Sequence, residues 1–340
     1  MASGSAAPAA GRRLLPILLL GLAGLGLAAL AWMLAHYGIA EIGGAVAAIG
    51  WGLALMLAVR LALIAGAGIA WWMLPPPEAG VSLWTCLRLR WVRESINSLL
   101  PVAQMGGDIV GARLLAKTGV DAEAAAASVI VDVFVQAGTQ LLFTLLGLAV
   151  LVALGGDPAI VRGVLAGLAV VAPALLAFFL VQWFGGFGWA QRRINAALAS
   201  VAGLGKAGDG QLDRAIRDIY RRRRALAACV LVHALVWLLG VAEIWIALHF
   251  MGHAVDWTAA LVIESLAQAV RAAAFVVPGG LGVQEGGFIA LCATFGLPPA
   301  AALALSLARR ACEFLPGVAG LVAWHVEEGA GLLRRTPPSL

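Results

Sequence analysis

Apolar residues run along this chain in long blocks. Six of them, residues 14–35, 46–74, 124–154, 160–184, 225–250 and 300–324, match or exceed the roughly 20 apolar residues that one bilayer crossing needs. Two further segments, 83–117 and 258–296, are apolar but repeatedly interrupted. The sharpest interruption is VVPGGLGVQEGGF at 276–288, which sets a proline, two glycine pairs and Glu285 between apolar runs. Proline and glycine weaken helices, and a carboxylate is costly in lipid. The pattern predicts an all-α, polytopic membrane protein with about six full spans and two irregular segments.

Composition agrees with that class. Of 340 residues, 62% are hydrophobic and 12% charged, against about a quarter charged in soluble domains. The first block follows Arg12 and Arg13, as a secretory signal would. At 22 residues it exceeds the usual h-region of about 7–15, so a retained span is expected. Cys86, Cys229, Cys292 and Cys312 lie in or beside apolar segments without CxxC spacing, which predicts packed thiols rather than disulfides or zinc ligands. Trp51, Trp71, Trp72 and Trp324 fall near span ends, where interfacial belts form.

The distribution of Lys and Arg sets an expected orientation. Two precede the first span, five lie between Arg88 and Lys117, and nine lie in Arg192–Arg224. The connections at 36–44, 154–158, 252–257 and 297–299 have none. Positive residues mark the cytoplasmic side, so both termini are expected there. Segment 83–117 then enters and leaves on the basic side and 258–296 on the opposite side, as re-entrant hairpins would. Non-helical backbone at that depth must be satisfied by protein or a water-filled cavity.

The expected organisation is a cytoplasmic tail (1–13), one transmembrane domain (14–325) and a second tail (326–340). Two repeats divide the domain at about 14–154 and 158–325. The basic connection 185–224 carries Leu212, Ala215, Ile216, Ile219 and Tyr220 at helical spacing. It reads either as a helix lying on anionic lipid or as a topology determinant alone. A shift of 177 residues sets Pro101 on Pro278, Asp108 on Glu285 and Gly119 on Gly296. With the topology, this predicts a 3+3 inverted repeat, which in many transporters places a substrate site between broken helices.

Several ionisable groups fall inside apolar segments, each costing about 2.5–3.5 kcal/mol on insertion scales. Arg60 is mid-block. Ser128, Asp132, Gln136 and Gln140 recur every four residues and form a polar stripe on one helix face. Arg309 and Glu313 have the i, i+4 spacing of an ion pair. Asp108, Glu264, Arg271 and Glu285 come from the irregular segments. These groups either line a shared polar cavity or lock helices together, as Arg309 with Glu313 and Asp132 with Arg60 would. GGLGVQEGG lacks the third glycine of a dinucleotide loop, and His249 and His253 sit at an expected membrane boundary. No cofactor, metal or nucleic-acid partner is expected.

NSLLPVAQMGGDIVGARLL (97–115), a polar-striped span and VPGGLGVQEGG late in the chain together resemble the transmembrane flippase domain family of lysylphosphatidylglycerol synthases. Within it, the sequence is most similar to hopanoid-biosynthesis-associated membrane proteins. The likeness spans about residues 14–325. It implies a bacterial inner-membrane protein that moves a polar lipid, such as a hopanoid, aminolipid or glycolipid, between leaflets. By the family pattern, Asn97, Pro101, Gly106, Gly107, Asp108 and Arg113 form the first motif, and Pro278, Gly279, Gly280, Gly282 and Glu285 the second. Asp108 departs from the Glu of many relatives. About 16 residues follow the last span, so the synthases' aminoacyl-transferase domain and its reaction are not expected.

On this reading Asp108, Asp132 and Glu285 meet an amine or carry a proton, and Arg271 and Arg309 meet phosphate or hydroxyls, with Gln136 and Glu313 beside them. An intramembrane enzyme using Asp108 and Glu285 as acid and base, or a scaffold for lipid-synthesis enzymes, is the alternative. A homo-oligomer is compatible with each.

Overall fold

In the computed structural model, the described residues are 28, 31–100, 106–183, 211–274 and 281–333. They form twelve α-helices and one short 3-10 turn. Most of the expected first span, the N-terminal tail, residues 334–340 of the second tail and 184–210 of the basic connection lie outside them, as do Pro101, Pro278, Gly279 and Gly280.

Helices α1 (Ala31–Tyr37) and α2 (Ile39–Ile49) meet at 92°. Gly38 makes the corner at φ +87°, a left-handed conformation that glycine adopts readily. Gly50 makes a second break before α3 (Gly52–Trp72). The block at 46–74 is therefore divided, not one continuous span. After it come α4 (Leu83–Leu99), α5 (Gly106–Lys117), α6 (Ala122–Ala153) and α7 (Pro158–Trp183). The rest is α8 (Gln211–Arg221), α9 (Arg223–Phe250), α10 (Trp257–Ala273), α11 (Val283–Ala293) and α12 (Pro299–Leu333).

Helix starts are set by local chemistry. Ser82, Asp121 and Asp256 each accept a backbone N–H three residues on, at 3.1, 3.0 and 2.7 Å, satisfying donors that a helix leaves open. The N–H of Ala259 holds the exposed Asp256 carboxyl below its ordinary range. At the other kind of end, Arg222 donates to the carbonyls of Leu74 and, at 2.9 Å, Pro75, just past the last turn of α3.

Among the described residues, α3, α6, α7 and α9 are long and apolar enough to cross a membrane, and the bent α1–α2 pair makes a possible fifth. Helix α12 has the length, at 35 residues, but carries Arg309, Arg310 and Glu313 mid-way. The outer surfaces of these helices are apolar: Leu55, Leu61, Leu142, Leu146, Leu176, Leu231 and Leu235 are all exposed. Such a surface suits lipid and not water. Trp51, Trp72, Trp84 and Trp257 are exposed near helix ends. Two members of the expected belt turn inward: Trp71 is fully buried and donates to Ser128 at 3.1 Å, and Trp324 is partly buried against a core.

The closest packing joins α3 to α9, α4 to α12 and to α3, and α6 to α10. Two main cores result. One gathers Leu74, Cys86, Leu115, Val120, Ile216 and Cys229, hence the start of α4, the end of α5 and helix α8. The other gathers Ile49, Leu151, Leu248, Ala260, Leu291 and Ala302, hence the start of α10 and the end of α11. Arg90, Arg93, Asp132, Glu243, Glu264 and Arg309 are buried among the same helices.

Candidate functional site

Helix α4 supplies the first half of the site. Arg90, Arg93, Glu94 and Asn97 fall at i, i+3, i+4 and i+7, so one helical face carries them all. Asp132, fully buried on α6, is the centre on which the two arginines converge. Arg90 donates to it at 2.8 Å, an Arg93 nitrogen lies 3.0 Å away, and His233 of α9 faces its other oxygen at 3.0 Å. Arg93 also donates to Asp108 of α5 at 2.7 Å and lies 4.5 Å above the Trp71 ring. A buried charge is tolerated only when it is paired in this way.

The first motif now has a structural account. The side-chain oxygen of Asn97 accepts the N–H of Gly107 at 2.7 Å, and its amide donates to Asp108 at 3.4 Å. Asn97 therefore fixes the first turn of α5 against α4. A Cβ on Gly107 would lie 2.1 Å from the carbonyl oxygen of Arg93, and one on Gly111 would lie 2.4 Å from its side chain. Only glycine lets the two backbones approach this closely. Gly106 begins the helix. Arg113 is exposed on α5 and is not among the residues lining the cavity described below.

The second half inverts the charges. Arg309, buried on α12, pairs with Glu264 of α10 and lies 3.5 Å from Glu243 of α9. Arg60 of α3 donates to Glu243 at 2.6 Å and lies 3.4 Å from Glu313. Arg271 donates to Glu313 at 2.6 Å. Two expected pairs are thereby corrected. Arg309 and Glu313 find their partners on other helices, and Asp132 pairs with α4 rather than with Arg60. An i, i+4 pair within one helix leaves the facing helix's charge unmatched, whereas pairing between helices neutralises both.

Glu285 has a different place from the one expected. It is fully buried, accepts the N–H of Gly282 at 2.7 Å, and takes Ser306 and Arg310 on its other oxygen at 3.2 and 2.7 Å. It caps α11 and ties it to α12, and it does not line the cavity. Gly282, at φ +78°, is the matching break.

A cavity of about 290 Å³ lies between the two halves, bounded by α3, α4, α5, α6, α9 and α10. Four guanidiniums (Arg60, Arg90, Arg93, Arg271) and three carboxylates (Glu94, Asp108, Glu264) line it. The lining is thus close to charge balance. Asn97, Gln136, Gln140 and Gln268 add carboxamides. The stripe foreseen on α6 faces inward as expected. Gln136 accepts from Arg90 at 2.9 Å, and Gln140 donates to the Gln268 carbonyl at 3.1 Å.

Sequence reasoning missed Arg90, Arg93, Glu94, His233, Glu243 and Gln268. The two arginines were counted as markers of orientation. Their spacing with Asn97 was a usable signal, and His233 and Glu243 are ionisable groups inside an apolar block.

The four cysteines are buried and unpaired in disulfides. Asp132, Cys229 and His233 present ligand atoms within 4.8 Å of one another. Two guanidiniums already occupy that carboxylate, so a cation placed there would face their repulsion.

No curated protein and no solved structure matches the chain. Residues 16–320 do match a family description, and with a polar cavity inside an apolar helical body the chain belongs to the lysylphosphatidylglycerol synthase transmembrane region family.

Proposed function

We propose that this protein moves a polar lipid between leaflets, the head group crossing through the central cavity while the acyl chains stay in the bilayer. The observation that carries this reading is the cavity itself: seven charged groups around about 290 Å³, enclosed by helices whose outer faces are apolar. Family membership agrees, since the family is associated with lipid flipping. A charged head group loses its hydration in hydrocarbon, and paired charges and carboxamides offer replacement partners. The cargo class is a hopanoid, aminolipid or glycolipid, the setting is a bacterial inner membrane, and both termini lie on the cytoplasmic side.

An inverted repeat underlies the proposed path. Helices α5 and α6 begin at 106 and 122, and α11 and α12 begin at 283 and 299, the same shift of 177 residues in both cases. Gly119 and Gly296, related by that shift, both follow the shorter helix with positive φ. The α4–α5 and α10–α11 pairs pack into two different cores, which is compatible with re-entry from opposite sides. The alternative of acid and base catalysis by Asp108 and Glu285 gains no support, because only Asp108 lines the cavity.

The test is reconstitution in liposomes with fluorescent head-group-labelled lipids. Arg271→Gln should slow leaflet exchange at least tenfold while the protein stays folded. Exchange equal to that of the wild type would exclude the cavity as the path. For topology, Thr118→Cys and Ala293→Cys, both exposed after α5 and on α11, should label from opposite sides of the membrane. Labelling from one side would refute the inverted arrangement.

A further inference from the structure

A second concavity lies on the opposite face of α6 from the polar cavity. Phe134, Gly138 and Leu142 of α6, Phe179 of α7, and Leu226 and Val230 of α9 form its apolar walls, enclosing about 930 Å³. At one end stand Arg217 and Arg221 of α8 and Arg223 of α9, all exposed. Aromatic contacts fix the wall: Phe134 stacks on Phe179 at 5.4 Å, and Phe179 meets Tyr220 edge-on at 6.2 Å. Tyr220 in turn donates to the buried Gln182 at 3.0 Å, joining α8 to α7.

Helix α8 explains how cations come to sit there. Ile216 and Ile219 are buried in the core shared with α6, which leaves Arg217 and Arg221, one turn apart, on its outer face. Asp218 lies 3.4 Å from Arg221 and is the acidic group at this rim. Any outer helix face in a bilayer meets acyl chains. This one differs because it is concave and ends in three guanidiniums.

We propose that this groove binds one anionic phospholipid, its acyl chain lying along Phe134, Leu142, Leu226 and Val230 and its phosphate meeting Arg217, Arg221 and Arg223. Charge complementarity selects the occupant: a zwitterionic lipid would fill the walls but gain less at the cationic end. The site is separate from the proposed translocation path, since the cavity uses Val133, Gln136, Ala137 and Gln140 of α6 and the groove uses Phe134, Val135, Gly138, Thr139 and Leu142.

Gly138 gives the decisive variant. A Cβ there meets nothing within 4 Å, so Gly138→Leu starts its side chain in open space and extends it into the groove, and leucine favours helix more than glycine does. Binding of dioleoyl-phosphatidylglycerol and dioleoyl-phosphatidylcholine to the purified full chain in detergent is to be measured by native mass spectrometry and by thermal shift. The wild type should hold one phosphatidylglycerol preferentially. Replacing Arg217, Arg221 and Arg223 with Gln should weaken it roughly a hundredfold, at about fivefold per guanidinium. Gly138→Leu should weaken it at least tenfold with the lipid-free melting temperature not lowered. Leu142→Trp narrows the same groove and serves if Gly138→Leu proves unstable. Equal binding of the two lipids, or phosphatidylglycerol binding indifferent to both groove-filling variants, would overturn the proposal, the latter leaving general attraction between basic residues and an anionic surface.

Discussion

Asp132 and Arg309 are each the eleventh residue of their helices, α6 from 122 and α12 from 299, yet they build centres of opposite sign. Around Asp132 one carboxylate gathers Arg90, Arg93 and His233. Around Arg309 one guanidinium gathers Glu264 and Glu243. The same helical position thus serves as a hub for unlike charge, with its satellites drawn from α4 and α9 in one case and from α9 and α10 in the other. The difference matters because a carboxylate can be neutralised by a proton, whereas a guanidinium in a protein cannot lose one. Each hub therefore tolerates damage differently, although both bury ions at similar depth.

The largest expected effect is Asp132→Ala. It takes the closest anion from buried Arg90 and leaves Arg93 with Asp108 alone, at a cost of about 3–5 kcal/mol. Thermal unfolding in detergent should show that loss with little relief at low pH. Arg309→Ala should cost a similar amount at neutral pH but recover on acidification. With the guanidinium removed, the charge left buried is a carboxylate, which protonation can neutralise, whereas the guanidiniums left by Asp132→Ala have no such relief. Glu243 keeps Arg60 at 2.6 Å. Parallel pH profiles for the two variants would refute the contrast between the hubs.

A smaller effect separates α5 from α11. Gly107→Ala forces a Cβ to 2.1 Å from the Arg93 backbone, an overpacking worth about 1–3 kcal/mol. Gly286→Ala on α11 meets nothing within 4 Å and should be neutral or stabilising by up to about 1 kcal/mol. If the two variants melt alike, close approach is not what Gly107 provides. Least of all, Gln140→Ala removes one hydrogen bond to the Gln268 carbonyl, about 1 kcal/mol. Lipid exchange in liposomes should nevertheless fall, because Gln140 lines the cavity. Unchanged exchange would limit the path to the charged wall.

Much of this was legible along the chain. Block lengths gave α3, α6, α7 and α9 nearly in full, and the four-residue recurrence on α6 gave a polar face that does turn inward. The second block was misread as continuous because Gly50 and Trp51 carry no charge to interrupt it, and only the turn geometry breaks the helix there. Trp71 looked interfacial from its position beside Trp72. Adjacent residues point in different directions on a helix, so one indole is buried and the other exposed.

By itself the sequence determined the class of the molecule, the count of ionisable groups placed in apolar segments and the glycines that permit close contact. Those follow from transfer cost and backbone sterics, which each residue carries wherever it sits. Only the tertiary structure decided which charge meets which. The pairs span separations from 15 residues, Arg93 to Asp108, to 253, Arg60 to Glu313, and periodicity within one helix does not encode such partners. It also removed Glu285 from the cavity and put Arg90 and Arg93 into it. The reason is Coulombic: a buried charge is stabilised by whichever opposite group the fold brings within a few ångströms, and that distance is a property of packed helices, not of the chain.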